Sequence, residues 1–356
     1  MAQNILITGA AGFIGGSLLA DLLFRNDGPI KTAKLFAAVR SQEQVQSLSK
    51  LGVGVVEVDL LDKQSVEDAI IGNKIDLVLH TAGAVDSRMA SNIIDALGQR
   101  RRVNGTKTYY IHSSVMTMFS EEGGWPYGEV KDTDAILEKE KEIQQPNPVR
   151  HINILVAEQG KAQDVVTFNV AVPMVYGRGT GEWRKLSVNI PASVRTSIKL
   201  KTVHKFDKDA SPPAVHISDL TELYVLLLEN VLQDKPITSC ENGYYFAMAH
   251  RSPWGKVMTG LAKGLHSREL VETPEVHVWP SHEEGADSLG FPRLYIRGIA
   301  MSSGDMVPVN AYKLGWKPKW DEERFLGSID DEIQAVQELD TVKMSLFDSL
   351  IASTDK

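Results

Sequence analysis

The sequence predicts an α/β fold built on a doubly wound parallel sheet, followed by a smaller and mostly helical region. Three observations predict it. Short apolar runs alternate with segments of helical periodicity through the first half of the chain. A glycine-spaced loop, Thr8-Gly9-Ala10-Ala11-Gly12-Phe13-Ile14-Gly15, follows the first of those runs directly. After residue 175 or so the alternation fades, and strong amphipathic helical stretches take over.

The elements follow in order. Asn4 to Thr8 (NILIT) is a short apolar run of buried-strand type, and Gly15 to Phe24 carries apolar residues at helical spacing. Lys34 to Val39 is the second strand and Gln42 to Leu51 a polar helix. Val53 to Val58 is the third strand, with a helix after Lys63. Ile75 to Thr81 is the fourth, followed by a helix from Ser91 to Arg100, and Thr108 to His112 is the fifth. Gly and Pro make Ser120 to Tyr127 a loop. Asp132 or Thr133 is expected to cap a short, highly charged helix ending near Gln145. A helix from Arg150 to Gly160 and a sixth strand, Val165 to Val172, complete the alternating part. Beyond it, Asp219 to Leu232 and Trp254 to Leu265 are amphipathic helices, Pro280 to Ile296 is irregular, and the chain ends in helix. The expected division is a nucleotide-binding domain over 1–175 and a substrate-binding region over 176–356. The two interleave, with the helix near 219–232 packing back on the first.

Bulk properties narrow the function classes. A chain of 356 residues is long enough for one large α/β domain or two modest ones. Its net charge of -8 argues against a surface that neutralises nucleic-acid phosphates. A single cysteine, Cys240, leaves no intrachain disulfide or cysteine-built zinc site and suits a reducing compartment. The histidines show no metal-ligand spacing, so no metal is expected. The opening MAQNILITGAAGFIGG lacks a basic segment, its apolar stretch is broken by glycines, and no apolar run reaches membrane-spanning length. The expected location is the cytosol, without a membrane partner.

The glycine loop carries the chemistry. Gly9 allows the tight turn, Gly12 lets a pyrophosphate approach the backbone, and Gly15 lets helix and strand pack closely. Exposed N–H groups at the helix start then meet the phosphate charge. The plain alternative is a structural turn with no ligand. An acidic residue closing the second strand would hold the ribose hydroxyls of NAD. This chain has Arg40 and Ser41 there, which suit a ribose 2′-phosphate and point to NADP(H), unless Arg40 is simply a surface arginine. Asp59 and Leu60 after the third strand are candidates for the adenine edge. Thr81, Ala82 and Gly83 after the fourth are small enough for a cofactor to lie across them.

With these pieces in hand, the sequence resembles the extended short-chain dehydrogenase/reductases, of the NAD-dependent epimerase/dehydratase-like type. The matching segments are TGAAGFIG (8–15), DLLD (59–62), HTAGAVD (80–86), IHSS (111–114), VPMVYGRG (172–179), VHISDLTELYVLLLE (215–229) and YKLGWKP (312–318), in order along nearly the whole chain. More narrowly it is similar to a divergent, mostly fungal subgroup. The resemblance implies a Rossmann-type sheet, a bound nicotinamide dinucleotide, a common tendency to form homodimers, and catalysis by Ser, Tyr and Lys. Ser114 aligns with the family serine, Ser113 is a candidate cofactor contact, and Pro173 falls where the family chain runs along the nicotinamide. In the helix before the sixth strand, however, Arg150 occupies the tyrosine position and Ile154 the lysine position. An isoleucine can neither hold a ribose hydroxyl nor lower the pKa of a phenol.

Replacements for the missing pair come from elsewhere in the sequence. The pentapeptide YGEVK puts Lys131 four residues after Tyr127, the spacing of a relay pair, but Gly128 and its glycine- and proline-rich setting argue against the helix such a pair needs. His151 is a second candidate acid, or else a solvated helix start. Tyr176 is either a site residue or core, the loop 177–183 (GRGTGEW) either a substrate flap or a connector, and Asp219 more a helix cap than a catalyst. Three functions fit. The first is an NADPH-dependent reductase acting on a carbonyl or enone of a small aromatic or polyketide-like secondary metabolite. The second is a non-redox isomerase, dehydratase or cyclase on the same scaffold. The third is a binding protein that senses NADP(H).

Overall fold

The computed structural model describes residues 3–25 and 27–339. It begins with β1 (Asn4–Thr8), α1 (Phe13–Phe24), β2 (Lys34–Val39), α2 (Gln42–Leu48), β3 (Gly54–Glu57), α3 (Lys63–Gly72), β4 (Leu77–His80), α4 (Ser87–Asn104) and β5 (Tyr109–Val115). Local chemistry sets the ends. Side chains of Ser41, Asp62 and Asp86 accept from backbone N–H groups at the starts of α2, α3 and α4, donors that would otherwise be orphaned. Because Asp86 supplies that cap, α4 starts at Ser87 and not at Ser91 as expected.

Next come β6 (Val130–Lys131), α5 (Ile136–Glu142), α6 (Pro148–Gln163) and β7 (Val166–Val172). Asp132 and Thr133 do not cap α5, whose N-cap is Ala135. Asp132 instead reaches across the molecule. Its Oδ1 accepts from the amides of Val309 (2.8 Å) and Asn310 (3.0 Å), and its Oδ2 from that of Phe246 (3.1 Å). Helix α6 starts at Pro148 because Asn147 caps it, accepting from the Val149 and Arg150 amides.

The second half contains β8 (Met174–Tyr176), α7 (Asn189–Leu200), β9 (Val203–Lys205), β10 (Pro213–His216), α8 (Ile217–Leu232), β11 (Tyr244–Phe246), β12 (His250–Arg251) and α9 (Trp254–His266). It closes with β13 (Val276–Val278), α10 (His282–Leu289), α11 (Ile296–Ala300), β14 (Met306–Val307), α12 (Asn310–Lys313), α13 (Glu322–Gly327) and α14 (Ile329–Leu339). The stretch from Pro280 to Ile296 is therefore not irregular throughout. Ser281 caps α10 by accepting from the Glu284 amide, and the polar sequence HEEGADSL hid that helix from periodicity.

The main sheet has the order β11-β7-β5-β4-β1-β2-β3, and every pairing in it is parallel. The chain winds outward from β1 through β2 to β3, then returns to the other side of β1 with β4. That reversal opens a crevice beyond the carboxyl ends of β1 and β4. Leu18, Leu22, Leu220, Leu227 and Trp316 pack on one face of the sheet, joining α1, α8 and the C-terminal LGW segment. Ile70, Ile93, Leu97, Ile152 and Val156, from α3, α4 and α6, cover the other. A separate core of α7, α9, α13 and α14 gathers around Tyr176, Leu261, Phe325 and Ile333. Among the described residues no helix is long and apolar enough to cross a membrane.

Candidate functional site

The loop from β1 to α1 turns where the sequence places its glycines. Gly9 has φ 70°, a conformation that a residue with a Cβ rarely adopts. Its carbonyl accepts from the Gly12 amide at 2.7 Å. A Cβ at Gly9 would lie 2.8 Å from the Thr81 carbonyl oxygen, and one at Gly15 would lie 2.4 Å from both Gly9 O and Thr81 Oγ1. Thr81 Oγ1 in turn donates to Thr8 O at 2.7 Å, so the ends of β1 and β4 are tied together under the helix start.

Helix α1 has no side-chain cap and no acidic residue in its first turn. The amides of Phe13, Ile14 and Gly15 thus face no acceptor among the described residues. A diphosphate fits this start, because it supplies the missing acceptors and puts negative charge at the positive end of the helix dipole. Two of the expected contacts need correction. Thr8 is fully buried, with its Oγ1 2.8 Å from His80 Nδ1, and Ala11 is buried in the core. Their side chains shape the turn and do not face a nucleotide.

The other candidates for cofactor contact lie along the same edge of the sheet. Arg40 is exposed, its amide donates to Gln44 Oε1, and its guanidinium has no ion-pair partner among the described residues. Ser41 uses its hydroxyl as acceptor for the Gln44 amide. Asp59 is exposed and accepts from the Leu61 amide at 2.9 Å. Leu60 puts its side chain in the core and its carbonyl on Asn92, so an adenine edge there would meet Asp59 and backbone, not the leucine side chain. Ala82 is exposed and Gly83 partly so, whereas Pro173 is buried between β7 and β8.

The two serines of β5 face opposite sides of the sheet, as strand alternation requires. Ser113 Oγ lies 2.5 Å from the Tyr224 hydroxyl on α8. Ser114 faces α6, and its Oγ donates to Asn153 Oδ1 at 2.7 Å. Asn153 Nδ2 donates to Glu140 Oε1 at 2.8 Å, and the Tyr244 hydroxyl donates to Glu140 Oε2 at 2.6 Å. All four side chains are almost completely buried. Burial pushes the Glu140 carboxyl up to about 7, against the opposing pull of Tyr244, Asn153 and the Arg150 charge. Asn153, Glu140 and Tyr244 are not apparent from the sequence motifs. The one available signal was spacing, since Glu140 falls on the same face of α5 as buried Ile136 and Leu137.

The proposed relay residues do not meet. Gly128 at φ 69° breaks YGEVK, and Lys131 lies on β6, paired with Val307. Tyr127 is exposed and donates to Glu142 Oε2 at 2.9 Å, while Lys131 Nζ lies 3.8 Å from Glu129. That hydrogen bond to Glu142 raises the phenol's pKa, the opposite of what a proton donor near neutrality needs. Tyr127→Phe is expected to leave dinucleotide affinity and turnover within about twofold of wild type, checked by titration and initial rates. His151 is exposed on α6, whereas the Ser114 network is buried. Arg150, which the resemblance sets at the tyrosine position, is buried and clamps the Gln145 and Gly124 carbonyls, both at 2.9 Å.

Three further assignments resolve. Asp219 is not the cap of α8, because His216 is, through Nδ1 and the Ser218 amide. Tyr176 is core, with its hydroxyl 2.8 Å from His250 Nε2. The loop after Tyr176 is pinned: Glu332 accepts from Gly177 N, Arg178 pairs with Glu338, and Thr180 N donates to Ser17 Oγ on α1. Gly181 lies directly on Gly16, and Trp183 packs against the core of the main sheet. Past the loop that follows β5 is an open cleft of about 720 Å³. Phe119, Trp125, Glu121 and Asp305 line it, together with the ion pair of Glu122 and Lys208.

A parallel sheet with an uncapped glycine-loop helix at its switch point defines a dinucleotide-binding α/β protein. Residues 6–116 match the model of the 3-beta hydroxysteroid dehydrogenase/isomerase family. An uncharacterized protein, C2A9.02, of Schizosaccharomyces pombe is 24% identical over 331 residues, covering 89% of this chain and 95% of its own. Oxidase ucsJ of an Acremonium species is 22% identical over 298 residues, covering 78% and 82%. A dTDP-glucose 4,6-dehydratase of Bacillus anthracis, solved in complex with NAD, has a TM-score of 0.63 at 14% identity, covering 95% of this chain and 97% of its own. Over residues 6–116 the chain is thus similar to a short-chain dehydrogenase family, and its fold is shared with epimerases and dehydratases.

Proposed function

We propose that the protein is an NADP(H)-dependent oxidoreductase that reduces a carbonyl or enone of a small organic metabolite. One observation carries this reading: the uncapped first turn of α1 stands on the same sheet edge as the exposed guanidinium of Arg40, which has no ion-pair partner among the described residues. The amides of Phe13 to Gly15 hold the diphosphate, and Arg40 holds a ribose 2′-phosphate through paired hydrogen bonds. When bound, the dinucleotide supplies the hydride. Ser114 orients the reacting oxygen, and the proton comes from solvent. The cleft after β5, with Phe119 and Trp125 in its wall, is the place for an aromatic or polyketide-like substrate. The relative described as an oxidase supports redox chemistry.

One observation favours a second reading, a non-redox isomerase, dehydratase or cyclase. Arg150 and Ile154 stand at the usual tyrosine and lysine positions, and Arg150 is committed to two backbone carbonyls. The test has two stages. Calorimetric titration should give tighter binding of NADPH than of NADH. Arg40→Asp should weaken NADPH by more than about tenfold, about 1.4 kcal/mol, and NADH by less than about twofold. Equal loss for both refutes the role of Arg40. NADPH oxidation is then measured against aromatic ketones and enones, and tight binding without oxidation moves the assignment to the second reading.

A further inference from the structure

Ser114 sits at the end of a hydrogen-bond chain whose direction is set at its far end. An ionised carboxylate only accepts. Glu140 therefore takes the Asn153 N–H on Oε1 and the Tyr244 O–H on Oε2. Asn153 Nδ2 also lies 3.2 Å from Met118 Sδ. With its nitrogen committed to that side, the amide turns Oδ1 to Ser114, and Ser114 must donate to it. In this state Ser114 offers a substrate lone pairs only, whereas a carbonyl oxygen needs a donor.

We propose that Glu140 is a positioning residue that sets, through the amide of Asn153, whether Ser114 donates to the substrate oxygen or accepts from it. A proton bound at Glu140 Oε1 turns that oxygen into a donor. Asn153 then rotates its amide, so that Oδ1 accepts from Glu140 and Nδ2 donates to Ser114 Oγ. The Ser114 O–H is freed to point into the site. One proton is taken from solvent and stays on Glu140; the amide rotates and passes none along. The neutral form suits carbonyl reduction, and the ionised form suits a substrate hydroxyl that donates to Ser114.

The surroundings of Glu140 fit a single titrating group. Arg150 and Asn153 face it from α6 and Tyr244 from β11, while Met118, in the turn after β5, touches Asn153. The nearby surface charges are paired elsewhere: Lys141 with Glu158, and Lys139 with Asp134. Burial brings the Glu140 carboxyl to about 7, where its proton exchanges near neutrality. The folded value lies above the ordinary one, so protonation is favoured in the folded state and is lost as pH rises through about 7.

The catalytic consequence rests on the reductase reading, and the experiment separates the two. In Glu140→Gln the new amide donates to Asn153 and accepts from Tyr244, which locks Ser114 as donor. Wild-type reduction should fall about tenfold per pH unit above the midpoint, and Glu140→Gln should lose that limb. A merely structural role would lower the rate at every pH and keep the limb. Isotope-edited NMR of the wild-type protein reads the same event without turnover. The Glu140 carboxyl and the Asn153 side-chain amide should shift together, with one midpoint between about 6 and 8. An Asn153 amide that stays still while Glu140 titrates overturns the proposal, whatever the kinetics. A shared titration in a protein that reduces no carbonyl supports the switch and removes the reductase reading.

Discussion

Gly15→Val is expected to abolish dinucleotide binding. The added Cβ would stand 2.4 Å from both Gly9 O and Thr81 Oγ1 and 2.8 Å from Gly9 C. Two of these three are backbone atoms, so no side-chain rotation relieves the contact. Gly9 O already accepts from Gly12 N, and Thr81 Oγ1 already donates to Thr8 O. The helix start must therefore move off β1 and β4, and the amides of its first turn lose their common aim. Sub-ångström misplacement of several charge-assisted donors is costly together, and the expected loss in NADPH affinity is at least about 100-fold, or about 2.7 kcal/mol. Gly72→Ala is the control, because a Cβ there meets nothing within 4 Å. Calorimetric titration of both variants, with thermal melts to verify folding, gives the answer. Affinity in Gly15→Val within threefold or so of wild type would mean that the cradle does not hold the phosphates.

The parts of the molecule that were legible in the sequence are those where local chemistry and tertiary role coincide. β1 and β2 match their expected limits because each is a buried apolar run bounded by polar or glycine residues. The glycine loop was legible for the same reason: Gly9 needs a positive φ and Gly15 a contact without Cβ, and both needs are written in residue type. Cross-chain partnerships were not legible. Asp132 looks like a cap for the helix that follows it, yet its carboxylate serves amides at Val309 and Asn310, far away in sequence. Glu140 sits in ILEKEKE, which reads as a solvated face, and only the packing of α5 on α6 and β11 puts that one carboxylate inside. Arg150 aligns with the family tyrosine, but its buried guanidinium is spent on loop carbonyls, which residue type alone does not reveal.

Asp219→Ala is expected to cost about 2–4 kcal/mol of stability, the largest single loss among the variants considered. Asp219 Oδ2 accepts from the amides of Lys319 (3.0 Å) and Trp320 (2.9 Å), and its carbonyl accepts from Trp316 Nε1 at 2.7 Å. One buried residue at the start of α8 thus fastens the LGWKP segment to the main sheet, with Trp316 sunk in the core. Alanine leaves two amides without the acceptor they have in the folded chain, which costs more than the bonds themselves contribute. Asparagine keeps an acceptor oxygen and removes a buried charge, so Asp219→Asn should lose less than about 1 kcal/mol. The pH dependence gives an independent check. Burial raises the Asp219 carboxyl above its ordinary value, even against its backbone partners and the charges of Lys319 and Arg324. The folded state therefore holds that proton more tightly than the unfolded chain, and the wild-type margin over alanine is largest in acid and shrinks as pH rises through the folded value. Urea unfolding followed by tryptophan fluorescence at several pH values measures both effects. A margin that grew with pH would mean that the ionised carboxylate is the favoured form, and that its two amide bonds outweigh the cost of burying it.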